Sequence, residues 1–130
     1  MTTTAIDLLD CLRTHFSAFE LPDLCSVHAS LHEPHITAQL RAQDPPQLAA
    51  ALLAWADTLI DPAAAAWRVP GGHSVHLSIT GALPGAVSVY VYGGMPFTPR
   101  GPGGDLAPAA TAPVSLTTLR HLATPGEVTL

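Results

Sequence analysis

HSVHLSITGALPGAVSVYVY, residues 73–92, is the stretch that decides the fold of this chain. Two alternating runs, Ser74 to Thr80 and Val87 to Tyr92, flank Gly81-Ala82-Leu83-Pro84-Gly85. Alternation of apolar and polar residues over such a length marks a half-buried strand, and a Gly/Pro connector marks a hairpin turn. Successive strand side chains face opposite sides of a sheet. Val75, Leu77, Ile79, Val87, Val89 and Val91 therefore share one apolar face, which needs a cover. Ser74, His76, Ser78, Thr80, Ser88, Tyr90 and Tyr92 share the other, a face of hydroxyls, a histidine and two tyrosines.

Working outward, a second hairpin precedes the first. Val27, Ala29 and Leu31 alternate with His28 and Ser30, His32-Glu33-Pro34-His35 makes the turn, and Ile36, Ala38 and Leu40 alternate with Thr37, Gln39 and Arg41. Each hairpin is preceded by a helical pattern. Thr4 is an N-cap with Asp7 three residues on, and Leu9, Leu12, Phe16 and Phe19 form one stripe of a helix over about 5–19, ended by Leu21-Pro22-Asp23. Asp44 caps a helix that opens on Pro45-Pro46, carries Leu48, Leu52, Trp55 and Leu59, and stops at Asp61-Pro62. Ala66 to Val69 reads as a short strand, turned by Pro70-Gly71-Gly72 into the hairpin.

The halves match: SVHASL at 26–31 and SVHLSI at 74–79 each open a hairpin after a helix. This pattern predicts an α+β two-layer sandwich, two helices on one face of a mostly antiparallel sheet, with an α-β-β repeat related by a pseudo-twofold axis. Residues 1–130 read as one domain, with helix–hairpin halves over 4–42 and 45–92. A Gly/Pro-rich loop follows over 93–113, and Ser115 caps a short helix to about Ala123, with Leu116, Leu119 and Leu122 on one side and Pro125-Gly126 ending it before the tail EVTL.

Composition narrows the function classes. Lysine is absent, five arginines face ten acids, and the net charge is −5, so neither nucleic acid nor an anionic membrane is an expected partner. Charged residues make up 12% of the chain, about half the usual share, which favours self-association. No apolar run is long enough to span a bilayer, and MTTTAIDLLD has neither the basic nor the apolar part of a signal peptide, so a cytoplasmic protein is expected. Cys11 and Cys25 have no metal-type spacing and read as buried reduced thiols, Cys25 sharing the parity of Val27.

The combination of ITAQL, LAAALLAWADTL, WRVPGGHSVHLSITG and VSVYVYGG resembles small uncharacterised actinobacterial proteins of Streptomyces-type genomes and their integrated mobile elements. The resemblance covers residues 1–92 and part of the C-terminal helix. Its motifs are structural, and it implies no activity.

Enzyme readings are thin. There is no G-x-S-x-G elbow, and Gly101-Pro102-Gly103-Gly104 lacks the Lys-Ser/Thr ending of a phosphate loop. Of seven histidines, His28 and His76 are the best pair for a metal, if their strands are neighbours, but no third ligand is evident. No metal site, catalytic residue or cofactor is therefore expected. The candidate site is the open sheet face, with His28, Ser30, Gln39, Arg68, His76, Ser78, Tyr90 and Tyr92 as binding residues. The expected function is a non-enzymatic binding or protein-interaction module, a homodimer or the docking site of a protein partner, unless the loop after Tyr92 folds back over the same face. The alternatives are a metal- or His-dependent enzyme and a DNA-associated mobile-element factor.

Overall fold

The computed structural model describes residues 4–32, 34–41, 44–85 and 87–124. Helix α1 (Ala5–Ala18) leads to β1 (Leu24–Ser30) and β2 (His35–Leu40). Helix α2 (Pro45–Ala56) follows, then β3 (Ile60–Arg68), β4 (Ser74–Leu83), β5 (Val87–Pro96), β6 (Thr111–Val114) and α3 (Leu116–Ala123). Glu33 in the first turn, and Pro125-Gly126 with the EVTL tail, lie outside the described residues.

The helices start where their caps require. Thr4 and Asp7 form a reciprocal capping box, Gln47 N donates to Asp44 Oδ1 at 2.9 Å, and Thr118 N donates to Ser115 Oγ at 3.0 Å. The strands form one six-stranded sheet in the order β1-β2-β5-β4-β3-β6, antiparallel throughout except for the parallel β2–β5 pair. This is the expected α+β two-layer arrangement with a short C-terminal helix. Val75, Leu77, Ile79, Val87, Val89 and Val91 are all buried, as their alternation requires. They join Ile36, Ala38 and Leu40 of β2, Leu48, Leu52 and Trp55 of α2 and Leu119 of α3 in one core.

The element order repeats only in part, since β3 comes between α2 and the second hairpin, and no twofold relates the halves. The equivalent strands β2 and β5 are adjacent and parallel, with the helices on one side of the sheet. A twofold normal to the sheet would make β2 and β5 antiparallel, and one lying along the strands would put α1 and α2 on opposite faces.

Other details shift the expected pattern. The buried side of α1 is Leu8, Leu12 and His15, whereas Leu9 and Phe19 are exposed and Phe16 is only half-buried. Strand β3 begins at Ile60 rather than Ala66, entering through a bulge between Ile60 and Ala63 in which Asp61 takes φ 51°. An aspartate tolerates the left-handed region better than most residues. Gly81 lies within β4, not in the turn, because the α2–β3 connection crosses it. A Cβ there would come within 2.8 Å of Leu59 Cβ.

The Gly/Pro segment is shorter than the composition suggests. Strand β5 continues to Pro96 and β6 begins at Thr111, leaving residues 97–110 as the loop. That loop closes the core side of the sheet beyond the helices. Phe97 and Leu106 pack on the core, and a Cβ at Gly103 would meet Ala66 and Val75 at 3.3 Å. The contacts that place Phe97, Gly103 and Leu106 all lie on this side of the sheet.

Candidate functional site

The register fixes which side chains share the open face. Across β1, β2, β5 and β4, His28 pairs with Thr37, Thr37 with Tyr90, and Tyr90 with Thr80. One row along, Gln39 pairs with Tyr92 and Tyr92 with Ser78, which pairs with Ala65 of β3. Ser30 pairs with His35, which pairs with Ser88. Of the predicted residues, His28, Ser30, Gln39, His76, Ser78, Tyr90 and Tyr92 thus belong to one surface. Apart from Asp61, which sits in the β3 bulge between Ile60 and Ala63, none of its strand positions carries Asp, Glu, Lys or Arg.

Its centre is a row of four rings. Trp67 meets His76 edge-on at 5.1 Å, His76 stacks on Tyr92 at 5.2 Å and 25°, and Tyr92 lies 5.5 Å from Tyr90. Gly94 is the register partner of His76, and a Cβ there would make only ordinary contact with the imidazole, at 3.6 Å. With no side chain opposite, the imidazole stands against the tyrosine. Ser78, partnered by Tyr92, is only 4% exposed and donates to Ala65 O at 3.4 Å. Trp67 was not among the candidates, although its register with His76 makes it an end of the row.

Arg68 does not belong to this face. Its register partner is Val75, so it projects to the core side, where Nε and Nη2 donate to Gly72 O at 3.2 and 3.1 Å and Nη1 to Leu106 O at 2.8 Å. The guanidinium also lies 3.6 Å from the centre of the Phe97 ring. It is a latch on the 97–110 loop.

The conditional pairing of His28 with His76 around a metal fails on topology. Strands β1 and β4 are separated by β2 and β5, so His28 and His76 stand three strand spacings apart, about 14 Å, too far to share an ion. Among the described residues no group of three or more His, Cys, Asp or Glu could hold a metal. Cys25 is exposed rather than buried, because the β1–β2 register shifts between Leu24 and Ser26 and leaves it as the bulged residue; Cys11 is half-buried.

One residue escaped the sequence reading. His15 is 6% exposed, and its Nε2 lies 2.7 Å from Thr58 Oγ1, which donates its only hydrogen to Trp55 O at 2.9 Å. Nε2 must therefore be the donor, leaving neutral Nδ1 as an acceptor. Burial holds the His15 pKa below its ordinary 6.5. The signal for it was spacing: His15 follows Leu8 and Leu12 on the buried side of α1. The neighbouring Trp55 Nε1 is buried without a hydrogen bond among the described residues, which costs about 1–3 kcal/mol.

Burial among the rings also lowers the pKa of His76 from 6.5. Both histidines thus bind protons less readily folded than unfolded. Their contribution to stability is complete above pH 6.5 and declines as the pH falls below it, until the folded values are passed. The urea midpoint is therefore expected to drop between about pH 7.5 and about pH 5, and His76→Phe, which keeps a ring without a titrating group, to remove part of the drop. An equal drop in wild type and variant would show that His76 makes no such contribution.

Among the described residues no helix is long and apolar enough to cross a membrane. Comparison with protein-family models, curated proteins and solved structures returns no match.

Proposed function

We propose that the protein is a non-enzymatic binding module whose open sheet face docks against the same face of a second copy. The observation that supports this reading is the distribution of charge. The chain carries −5, yet outside the β3 bulge at Asp61 the strand positions of this face hold no Asp, Glu, Lys or Arg. Two acidic molecules repel wherever their carboxylates meet, so the surface free of them is where like copies approach at least cost. Charge is a usual guard against sheet association, and away from the β3 bulge none stands on these strands.

The area suffices. Six strands at about 4.8 Å spacing span about 24 Å, and strands of about seven residues run about 23 Å. The flat projection is about 550 Å² per copy, or about 1,100 Å² for two, before side-chain relief is added; stable interfaces begin near 1,000 Å². Tyr90, Tyr92 and Trp67 supply the aromatic contacts that interface centres favour.

Sedimentation at micromolar concentration tests the proposal. The expected mass is twice the chain's 13.5 kDa. Thr37→Glu, which places a carboxylate in the middle of both faces, and the double change Tyr90→Ser with Tyr92→Ser are each expected to yield monomer. Wild-type protein at the single-chain mass would overturn the reading, as would a dimer indifferent to both variants.

A further inference from the structure

A cavity of about 500 Å³ opens on the helix side of the molecule, between α1 and the β4–β5 turn. It lies on the other layer from the ring row, so it is independent of the proposed dimer face. Its walls are mainly apolar, with Ala18 and Phe19 from the end of α1 facing Leu83 and Pro84. Phe19 is 47% exposed although it is a large apolar ring. A volume of this size suits a small organic molecule, and mostly apolar walls with a few placed polar groups are the usual make-up of such sites.

Apart from the Thr14 hydroxyl, which can donate or accept, and the Cys11 thiol, the polar groups are acceptors. His15 lines the cavity, and the hydrogen bonds through Thr58 leave its Nδ1 as a lone-pair acceptor with no protein partner among the described residues. Its lowered pKa keeps the ring neutral and the acceptor available. Asp7 and Asp10 also line the cavity. Asp7 receives the Thr4 amide through Oδ2, and Asp10 receives exposed Arg13 through Oδ1. Each carboxylate has another oxygen free of these contacts. Cys11 lines the same wall but makes no hydrogen bond to His15 among the described residues, so no thiol–imidazole pair competes for the acceptor.

We infer that this cavity binds a small organic ammonium, its apolar body held by Ala18, Phe19, Leu83 and Pro84, one N–H donated to His15 Nδ1, and its positive charge favoured at longer range by the carboxylates of Asp7 and Asp10 further up α1. An acceptor imidazole with two carboxylates further up its helix attracts donors and positive charge and repels a carboxylate ligand of the same shape. A fatty acid or acyl anion is therefore disfavoured.

The test uses a matched pair, 2-phenylethylammonium and phenylacetate, titrated into the full chain and followed by the methyl NMR signals of Leu83 and Ala18. The ammonium is expected to shift both signals and to bind about tenfold more tightly than the carboxylate. Asp10→Asn is expected to narrow that preference, and Leu83→Trp, which fills the cavity from the sheet side, to abolish binding. Should Leu83→Trp misfold, Ala18→Trp fills the cavity from the exposed end of α1. Absence of binding by the ammonium, equal binding of the two probes, or binding that survives both filled variants would overturn the inference.

Discussion

Leu77→Ala is expected to lower stability by about 3–5 kcal/mol, in the upper part of the range for a buried leucine truncation. The reason lies in its neighbours. Leu77 is fully buried in the middle of β4, and its register partners are Gly93 on β5 and Ala66 on β3. Neither has a side chain long enough to swing into the space that Leu77 leaves. Leu48 of α2 already fills the place above Gly93, where a Cβ would collide with it. A cavity that cannot collapse loses the contacts of its whole lining as well as the transfer energy of the missing methyls. Urea denaturation at one protein concentration measures the loss, with an unchanged m-value showing that the folded and unfolded states are otherwise the same. A midpoint within error of wild type would mean that this side of β4 does not face the core.

That prediction rests on alternation, the part of the fold most plainly written in the sequence. A strand's faces are set by a period of two, and Val75, Leu77 and Ile79 before the turn and Val87, Val89 and Val91 after it hold that period. The caps were legible for a similar reason. Thr4, Asp44 and Ser115 each have a side chain able to bond a nearby backbone N–H and stand just before a helical pattern. What was lost depends on partners distant in the chain. The four alanines of β3 favour a helix locally, and only pairing with β4 on one side and β6 on the other makes them strand. Two of them, Ala64 and Ala66, are buried on the helix side. The stripe on α1 was misjudged because the large apolar residues Leu9 and Phe19 outweighed His15, which the core accepts through its bond to Thr58. The parallel meeting of β2 and β5, which keeps His28 and His76 apart, leaves no local mark at all.

The open face was legible residue by residue because parity needs only an anchor, and His76, Tyr90 and Tyr92 had one in the buried valines. Trp67 and Arg68 had none, since the start of β3 was misplaced. Only the pairing with β4 puts Trp67 beside His76 on the open face and Arg68 beside Val75 on the core side. Chemistry explains where Arg68 belongs. A Gly/Pro-rich loop makes few regular backbone bonds, and its carbonyls need donors from elsewhere. A guanidinium supplies several from one planar group, which suits it to Gly72 O and Leu106 O together with the Phe97 ring.

Arg68→Met should therefore do more than remove a charge. Hydrogen bonds to a charged group are worth about 1.5–3 kcal/mol each, and with part of this site open to solvent the combined loss is expected near 2–4 kcal/mol. Most of it should fall on the loop. Residues 97–110 contain exposed Arg100, so trypsin reports directly on whether the segment is held down. Cleavage after Arg100 is expected to become about tenfold or more faster in Arg68→Met, ahead of any cut in the sheet or helices. Arg68→Lys should recover less than half of the protection, because an ammonium is a point donor that cannot span the two carbonyls and lie flat on the phenyl ring as well. Full protection in the lysine variant would show that charge alone holds the loop. Cleavage no faster in Arg68→Met than in wild type would mean that Phe97 and Leu106 secure the segment by burial, with the arginine contributing nothing.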